Sequence, residues 1–170
     1  MSRMAVIFDP GVEGLAAMAA AVAAGARDKG AQAELLDAGR MDAAALSAYD
    51  AAAFGFSPAC EAALLPVYVR ALETLCGRRV AVFGIRPDDG GVFADTLEKI
   101  CGYAKAVWRG ACFCASPSEE ALGRCGALGE GAVRAREARP DLADTVPIIF
   151  STITGNAYKL AAAVAEVVPD

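Results

Sequence analysis

Short apolar runs alternate along the chain with longer segments in which apolar residues recur at helical spacing. Residues 4–8 (MAVIF), 33–36, Ala51–Phe56, 79–84 and Val107–Cys114 predict five strands. Leu15–Asp28, closed by Gly30, and residues 64–75, Gly91–Tyr103 and 117–136 predict the helices between and after them. Pro66 suits the first turn of the second helix. Ser116 as N-cap with Glu119 three residues on has the spacing of a capping box. The strands are apolar along their length rather than alternating, so both of their faces must be covered. That predicts a parallel α/β sheet with helices on both sides.

The pattern then repeats its opening. Residues 137–144 (EARPDLAD) are polar and carry a proline, as a linker would. Residues 146–150 (VPIIF) predict a further strand, 151–157 a polar turn and 158–167 a further helix. Ala5-Val6-Ile7-Phe8 and Pro147-Ile148-Ile149-Phe150 hold the same place before a loop and an alanine-rich helix, at an offset of 142 residues (150 − 8). The simplest organisation is a tandem repeat: a domain over 1–136, a linker over 137–144, and the first β-loop-α unit of a second copy over 145–170. One strand without a sheet leaves an apolar face to be covered. We expect this unit at the sheet edge beside the fifth strand; displacing the similar N-terminal unit, or pairing with a second molecule in a homodimer, are the alternatives. The chain stops where such a repeat would continue, as a fragment would.

The sharpest chemical signal lies in that second copy. Thr152-Ile153-Thr154-Gly155-Asn156-Ala157 joins an apolar strand to a helix. Backbone N–H groups at a helix N-terminus, together with the helix dipole, favour an anion. The hydroxyls of Thr152 and Thr154 and the amide of Asn156 add neutral donors, and Gly155 permits close approach. With no lysine or arginine inside it, the loop differs from a Walker A loop. A neutral cradle suits a phosphate that is held, not transferred.

Thr152 to Asn156 resemble the FMN-phosphate loop of the flavodoxin family, [ST]-x-T-G-N-T, position by position; Ala157 stands where that family has a threonine. Residues 1–136 resemble a whole flavodoxin-like domain more loosely. Residues 49–58 look like its third strand and following loop, and 80–91 (VAVFGIRPDDGG) like its fourth strand and second isoalloxazine loop. The resemblance implies a doubly wound sheet of order 2-1-3-4-5 with the appended β-α unit. It also implies FMN as cofactor, held at Thr152, Ile153, Thr154, Gly155, Asn156 and Ala157, with Ser57, Pro58 and Ala59 in the first ring loop.

The first copy departs from this pattern where a flavin would bind. Its loop, Asp9-Pro10-Gly11-Val12-Glu13-Gly14, is about three residues shorter and offers two carboxylates and no hydroxyl. Carboxylates repel a phosphate, and Pro10 lacks an N–H. The family's ring-stacking aromatics are missing from Ser57-Pro58-Ala59-Cys60 and from Arg86-Pro87-Asp88-Asp89. The first copy alone is therefore expected not to bind FMN. Trp108 and Tyr103 are expected to pack rather than stack on a flavin, and Asp88-Asp89 to form a solvated turn.

Composition narrows the field. The net charge is −5 and no basic stripe is present, which argues against nucleic acid. The 170 residues include no histidine, the commonest general base and metal ligand. The apolar fraction of 56% comes largely from alanine. The longest uncharged apolar stretch, 15–26, is far short of the roughly 20 residues a membrane helix needs. No signal-peptide core opens the chain. The six cysteines are expected as reduced, mostly buried thiols in a cytoplasmic protein. Cys112 and Cys114 share a strand face, but without Cys-x-x-Cys or histidine they predict core thiols, not a metal site. The expectation is an FMN-binding electron-transfer protein, or a fragment of one, meeting a redox partner protein through its acidic surface. The competing expectation is a cofactor-free flavodoxin-like binding or scaffolding module.

Overall fold

The computed structural model describes residues 1–88 and 90–134. The expected linker, the Thr152–Ala157 loop and its strand and helix lie outside the described residues, as does Asp89. The described elements are β1 (Arg3–Phe8), α1 (Leu15–Asp28), β2 (Gln32–Asp37), a 3₁₀ helix (Ala43–Ala48), β3 (Ala51–Phe56), α2 (Glu61–Thr74), β4 (Arg79–Ile85), α3 (Gly91–Tyr103), β5 (Val107–Cys114) and α4 (Glu119–Val133). The five strands form one all-parallel sheet of order β2-β1-β3-β4-β5. This is the doubly wound, flavodoxin-like order that the resemblance implies.

Burial follows strand position. All six residues of β3 are buried, as are the central residues of β1 and β4. These three strands are covered on both faces, so their sequences carry no polar alternation. The edge strand β2 is mostly exposed. Its Glu34 ties it to its neighbours. Arg3 of β1 donates to Glu34 at 2.9 Å, the hydroxyl of Tyr49 donates to it at 2.8 Å, and the Arg3 guanidinium lies 4.7 Å from the Tyr49 ring centre. On the other edge, β5 bulges opposite Val80 and Ala81, where Arg109 is passed over and Gly110 takes φ 121°.

On one side of the sheet α1 packs against α4. The contact depends on glycines. A Cβ on Gly25 would lie 1.9 Å from the carbonyl oxygen of Gly126, and one on Gly129 would lie 2.0 Å from that of Val22. The two backbones therefore touch along a seam that only glycine permits. α1 ends in a Schellman motif: Gly30, at φ 77°, donates to Arg27 O and Ala31 donates to Ala26 O. α2 meets α3 through Tyr68, whose hydroxyl donates to Leu97 O at 2.9 Å. Its ring packs edge-on to Phe54 and Phe56.

Three local expectations shift. α2 begins at Glu61, a turn before the expected start, so Pro66 sits inside the helix. Its missing N–H would have bonded the carbonyl of Ala62. Both residues are exposed, so water can serve that carbonyl. The N-cap of α4 is Ser118, which accepts from Ala121 N at 3.2 Å, not Ser116. Tyr103 is 88% exposed and does not join the core, whereas Trp108 lies against it.

Candidate functional site

In a doubly wound sheet, ligands bind beyond the strand C-termini, near the point where the strand order reverses. Here that point lies between β1 and β3. The loops after β1, β3 and β4 converge on it.

The loop after β1 is closed by its own anion. Asp9 Oδ1 accepts from Gly11 N at 2.8 Å, and the Asp9 carbonyl accepts from Val12 N at 3.2 Å. Val12 O in turn accepts from Leu15 N at 3.3 Å. These N–H groups are the donors such a loop would offer to a phosphate, and a carboxylate already takes one of them. Gly14, at φ 79°, precedes α1, and a Cβ there would meet Pro117 at 2.9 Å and Ile85 at 3.1 Å. The loop is thus wedged beneath the chain entering α4 and has no room to lengthen in that direction.

Ser57, the first of the expected ring-loop residues, is the one buried polar residue among those described. Its Oγ faces Cys60 Sγ at 3.4 Å, and its carbonyl accepts from Cys60 N at 3.1 Å. Its hydroxyl and carbonyl are thus both engaged within its own turn. Pro58 and Ala59 are exposed at the tip of the loop.

The loops after β3 and β4 are clasped together. Arg86, at the end of β4, donates to Glu61 Oε2 at 2.7 Å on the first turn of α2. It also donates to Asp88 at 3.2 Å and lies 4.4 Å from the ring centre of Phe93 on α3. Asp88 is exposed in its bend, as expected of a solvated turn, and also pairs with Arg86. Gly90, at φ 69°, brings its backbone so close to Phe113 that a Cβ would lie 2.6 Å from the ring. Beneath this clasp Phe56, Phe93 and Phe113 stack edge-to-face. The aromatic groups here are core residues under the loops, not a sandwich above them.

A cleft of about 370 Å³ opens at the switch point. It is lined by Asp9, Asp37 and Cys60 and by the apolar side chains of Met41, Leu64 and Val67. Nothing in the sequence singled out Asp37, Met41 or the Arg86–Glu61 pair. These residues meet only through the topology, across 25 positions in the case of the pair. The described loops thus offer a carboxylate where a phosphate would lie and an ion pair across the slot where a ring would lie. They do not fit FMN. Among the described residues no group of three or more acidic, cysteine or histidine side chains is placed to hold a metal ion, and no helix is long and apolar enough to cross a membrane.

No protein-family model matches this sequence, and no curated protein matches it. Solved structures do. The two-electron reduced flavodoxin of Megasphaera elsdenii superposes with a TM-score of 0.67 at 18% identity, over 78% of this chain and 99% of that one. Flavodoxin 1 of Bacillus cereus gives a TM-score of 0.60 at 23% identity, over 78% and 97%. The diflavin flavoprotein A3 of Nostoc gives 0.63 at 16% identity, over 77% and 90%. At these identities the likeness establishes the flavodoxin-like fold.

Proposed function

We propose that the chain is a flavodoxin-like FMN-binding electron-transfer protein, or a piece of one, whose phosphate loop is Thr152–Ala157 and not the loop after β1. The contrast between the loop after β1 and the sequence of the similar segment at 145–170 carries this reading. One unit has Thr152, Thr154, Gly155 and Asn156 in the order of a phosphate cradle. The other turns the Asp9 carboxylate onto its own N–H groups. FMN, when bound, would supply the electron-carrying chemistry, and the protein's part is to hold the phosphate. The net charge of −5 suits brief, salt-sensitive docking on a basic redox protein.

Flavin titration of the full chain tests the reading. FMN fluorescence should be quenched on binding. Thr154→Ala combined with Gly155→Val should weaken binding at least tenfold, since each hydrogen bond to a charged group contributes about 1.5–3 kcal/mol. Asp9→Ser should leave the affinity unchanged. An affinity untouched by the double substitution removes the Thr152–Ala157 loop from the site.

A second reading rests on a specific observation. The Arg86–Glu61 clasp closes the ring slot of the described unit, as in a module that works without a cofactor by binding another protein. Absence of any FMN binding by the full chain would favour it.

A further inference from the structure

Cys112 on β5 and Cys125 on α4 face each other with their sulfurs 3.7 Å apart. Both are buried free thiols. Single buried cysteines serve as small apolar fillers. Two in sulfur-to-sulfur contact, on different elements, can also make a bond. Cys114, two positions along the strand, is differently engaged: its sulfur lies 3.9 Å from Met18 Sδ and 3.9 Å from Gly84 O. We propose that Cys112 and Cys125 are a two-electron redox pair, which hydrogen peroxide closes into a disulfide between β5 and α4.

The arrangement distinguishes the two sulfurs. The Cys125 S–H donates to Cys112, and Cys112 in turn has Ala121 O as acceptor at 4.0 Å. The hydrogen bond from Cys125 holds the Cys112 pKa below the ordinary thiol value; burial opposes it and the Arg124 guanidinium assists. Cys125 is pushed up, because its proton is engaged by Cys112 and because it is buried. Cys112 is therefore the attacking thiolate, and its proton passes to solvent. Its sulfur attacks one peroxide oxygen, the S–O bond forms, the O–O bond breaks, and the departing hydroxide takes up a proton as water. The Cys125 sulfur then attacks the resulting sulfenic acid. The S–S bond forms, the S–O bond breaks, and the second oxygen leaves as water with the Cys125 proton. The two thiols lose two electrons and the peroxide is reduced to two waters.

The sulfurs must approach by about 1.7 Å, from 3.7 Å to the disulfide bond length. Side-chain rotation and a small shift of α4 supply this. Gly123 and Gly126 flank Cys125 in that helix, and glycine lowers the cost of deforming it. Cys112 is only 6% exposed, so the oxidant must be small. A glutathione-sized disulfide would not reach it.

The full chain is treated with hydrogen peroxide, denatured in N-ethylmaleimide and digested with trypsin. Cleavage after Arg109, Arg124 and Arg134 places the two cysteines on separate peptides, 110–124 and 125–134. The expected product is these two peptides joined, lighter by two hydrogens and parted by dithiothreitol, with fragmentation placing the bond at Cys112. The link should persist in Cys114→Ser and vanish in Cys112→Ser. In Cys125→Ser the Cys112 sulfenic acid should be trapped by dimedone. If Cys112 and Cys125 both carry maleimide after the exposed Cys76 has been oxidised, the pair is not a redox centre. A bond found at Cys114 also overturns the proposal. The unsubstituted protein decides both points, so a variant that fails to fold leaves the test intact.

Discussion

Adding one methyl group to the glycines of α4 should stabilise the protein at one position and destabilise it at another two turns away. Gly123 is exposed and a Cβ there meets nothing within 4 Å. Gly123→Ala should therefore show only the difference in helix propensity, a gain of about 1 kcal/mol. Gly129 carries the same propensity gain but lies on the α1–α4 seam. Its Cβ would be 2.0 Å from Val22 O, a backbone atom that no side-chain rotation can move. Reaching an ordinary carbon–oxygen contact of about 3.3 Å requires the helices to part by about 1.3 Å. Such overpacking costs about 1–3 kcal/mol, and the rigidity of the neighbour puts it at the upper end. Net of propensity, Gly129→Ala should lose about 2 kcal/mol, or about 6 °C in Tm. Gly25→Ala, 1.9 Å from Gly126 O, should behave alike. The double variant should lose less than the sum, because helices already parted admit the second methyl more cheaply. Urea denaturation of the full chain followed by circular dichroism and Trp108 fluorescence reads all four. If Gly129→Ala stabilised the protein as Gly123→Ala does, the backbone contact would be wrong.

Three further outcomes follow from polar contacts. Arg86→Ala removes the Glu61 pair and the packing on Phe93, and should cost about 1 kcal/mol while speeding amide exchange in the loops after β3 and β4; unchanged exchange would mean the clasp does not order them. Burial holds the Tyr68 pKa well above the ordinary tyrosine value, so its stabilisation is complete below pH about 10 and is lost as pH rises through the folded value. Tyr68→Phe should flatten that alkaline loss; an unaltered alkaline slope would sink the assignment. Glu34 is held below its ordinary value by hydrogen bonds from Arg3 and Tyr49, so its contribution is present above pH about 4.3 and disappears as pH falls through the lower folded value. The acid limb of stability against pH should accordingly be shallower in Glu34→Gln, and an identical limb would show that the edge cluster does not form in solution.

The parts of this fold that could be read from the chain are those governed by local pattern. Ala51–Phe56 is apolar throughout and bounded by Asp50 and Ser57, Val107–Cys114 is apolar but for Arg109, and the limits of both in the structure match those expected. Leu15–Asp28 is closed by Gly30, whose left-handed backbone is a local event. The 3₁₀ helix Ala43–Ala48 was not legible, because its alanines carry no period. The start of α2 was missed because Cys60 gives no side-chain cap and Pro66 looked like a first-turn proline. At the site, the acidic character of the loop after β1 was legible, but not that Asp9 would fold back onto Gly11 N. The contact of Ser57 with Cys60 in the loop after β3 was not legible either. The Arg86 clasp joins two loops through the sheet order, and no local signal encodes it.

The glycine seam also bears on how the chain is made. Gly25 and Gly126, the residues in closest backbone approach, are separated by about a hundred positions. α1 leaves the ribosome early and α4 is the last described element to appear. Until α4 arrives, the groove around Gly25 and Val22 is open on a surface rich in Met18, Ala19 and Ala26. Vectorial synthesis therefore holds a sticky intermediate for the time needed to translate four further strands, a 3₁₀ helix and two α-helices, about 5–20 s at typical rates. A nascent chain halted after β4 would present that groove to chaperones, and docking of α4 would close it.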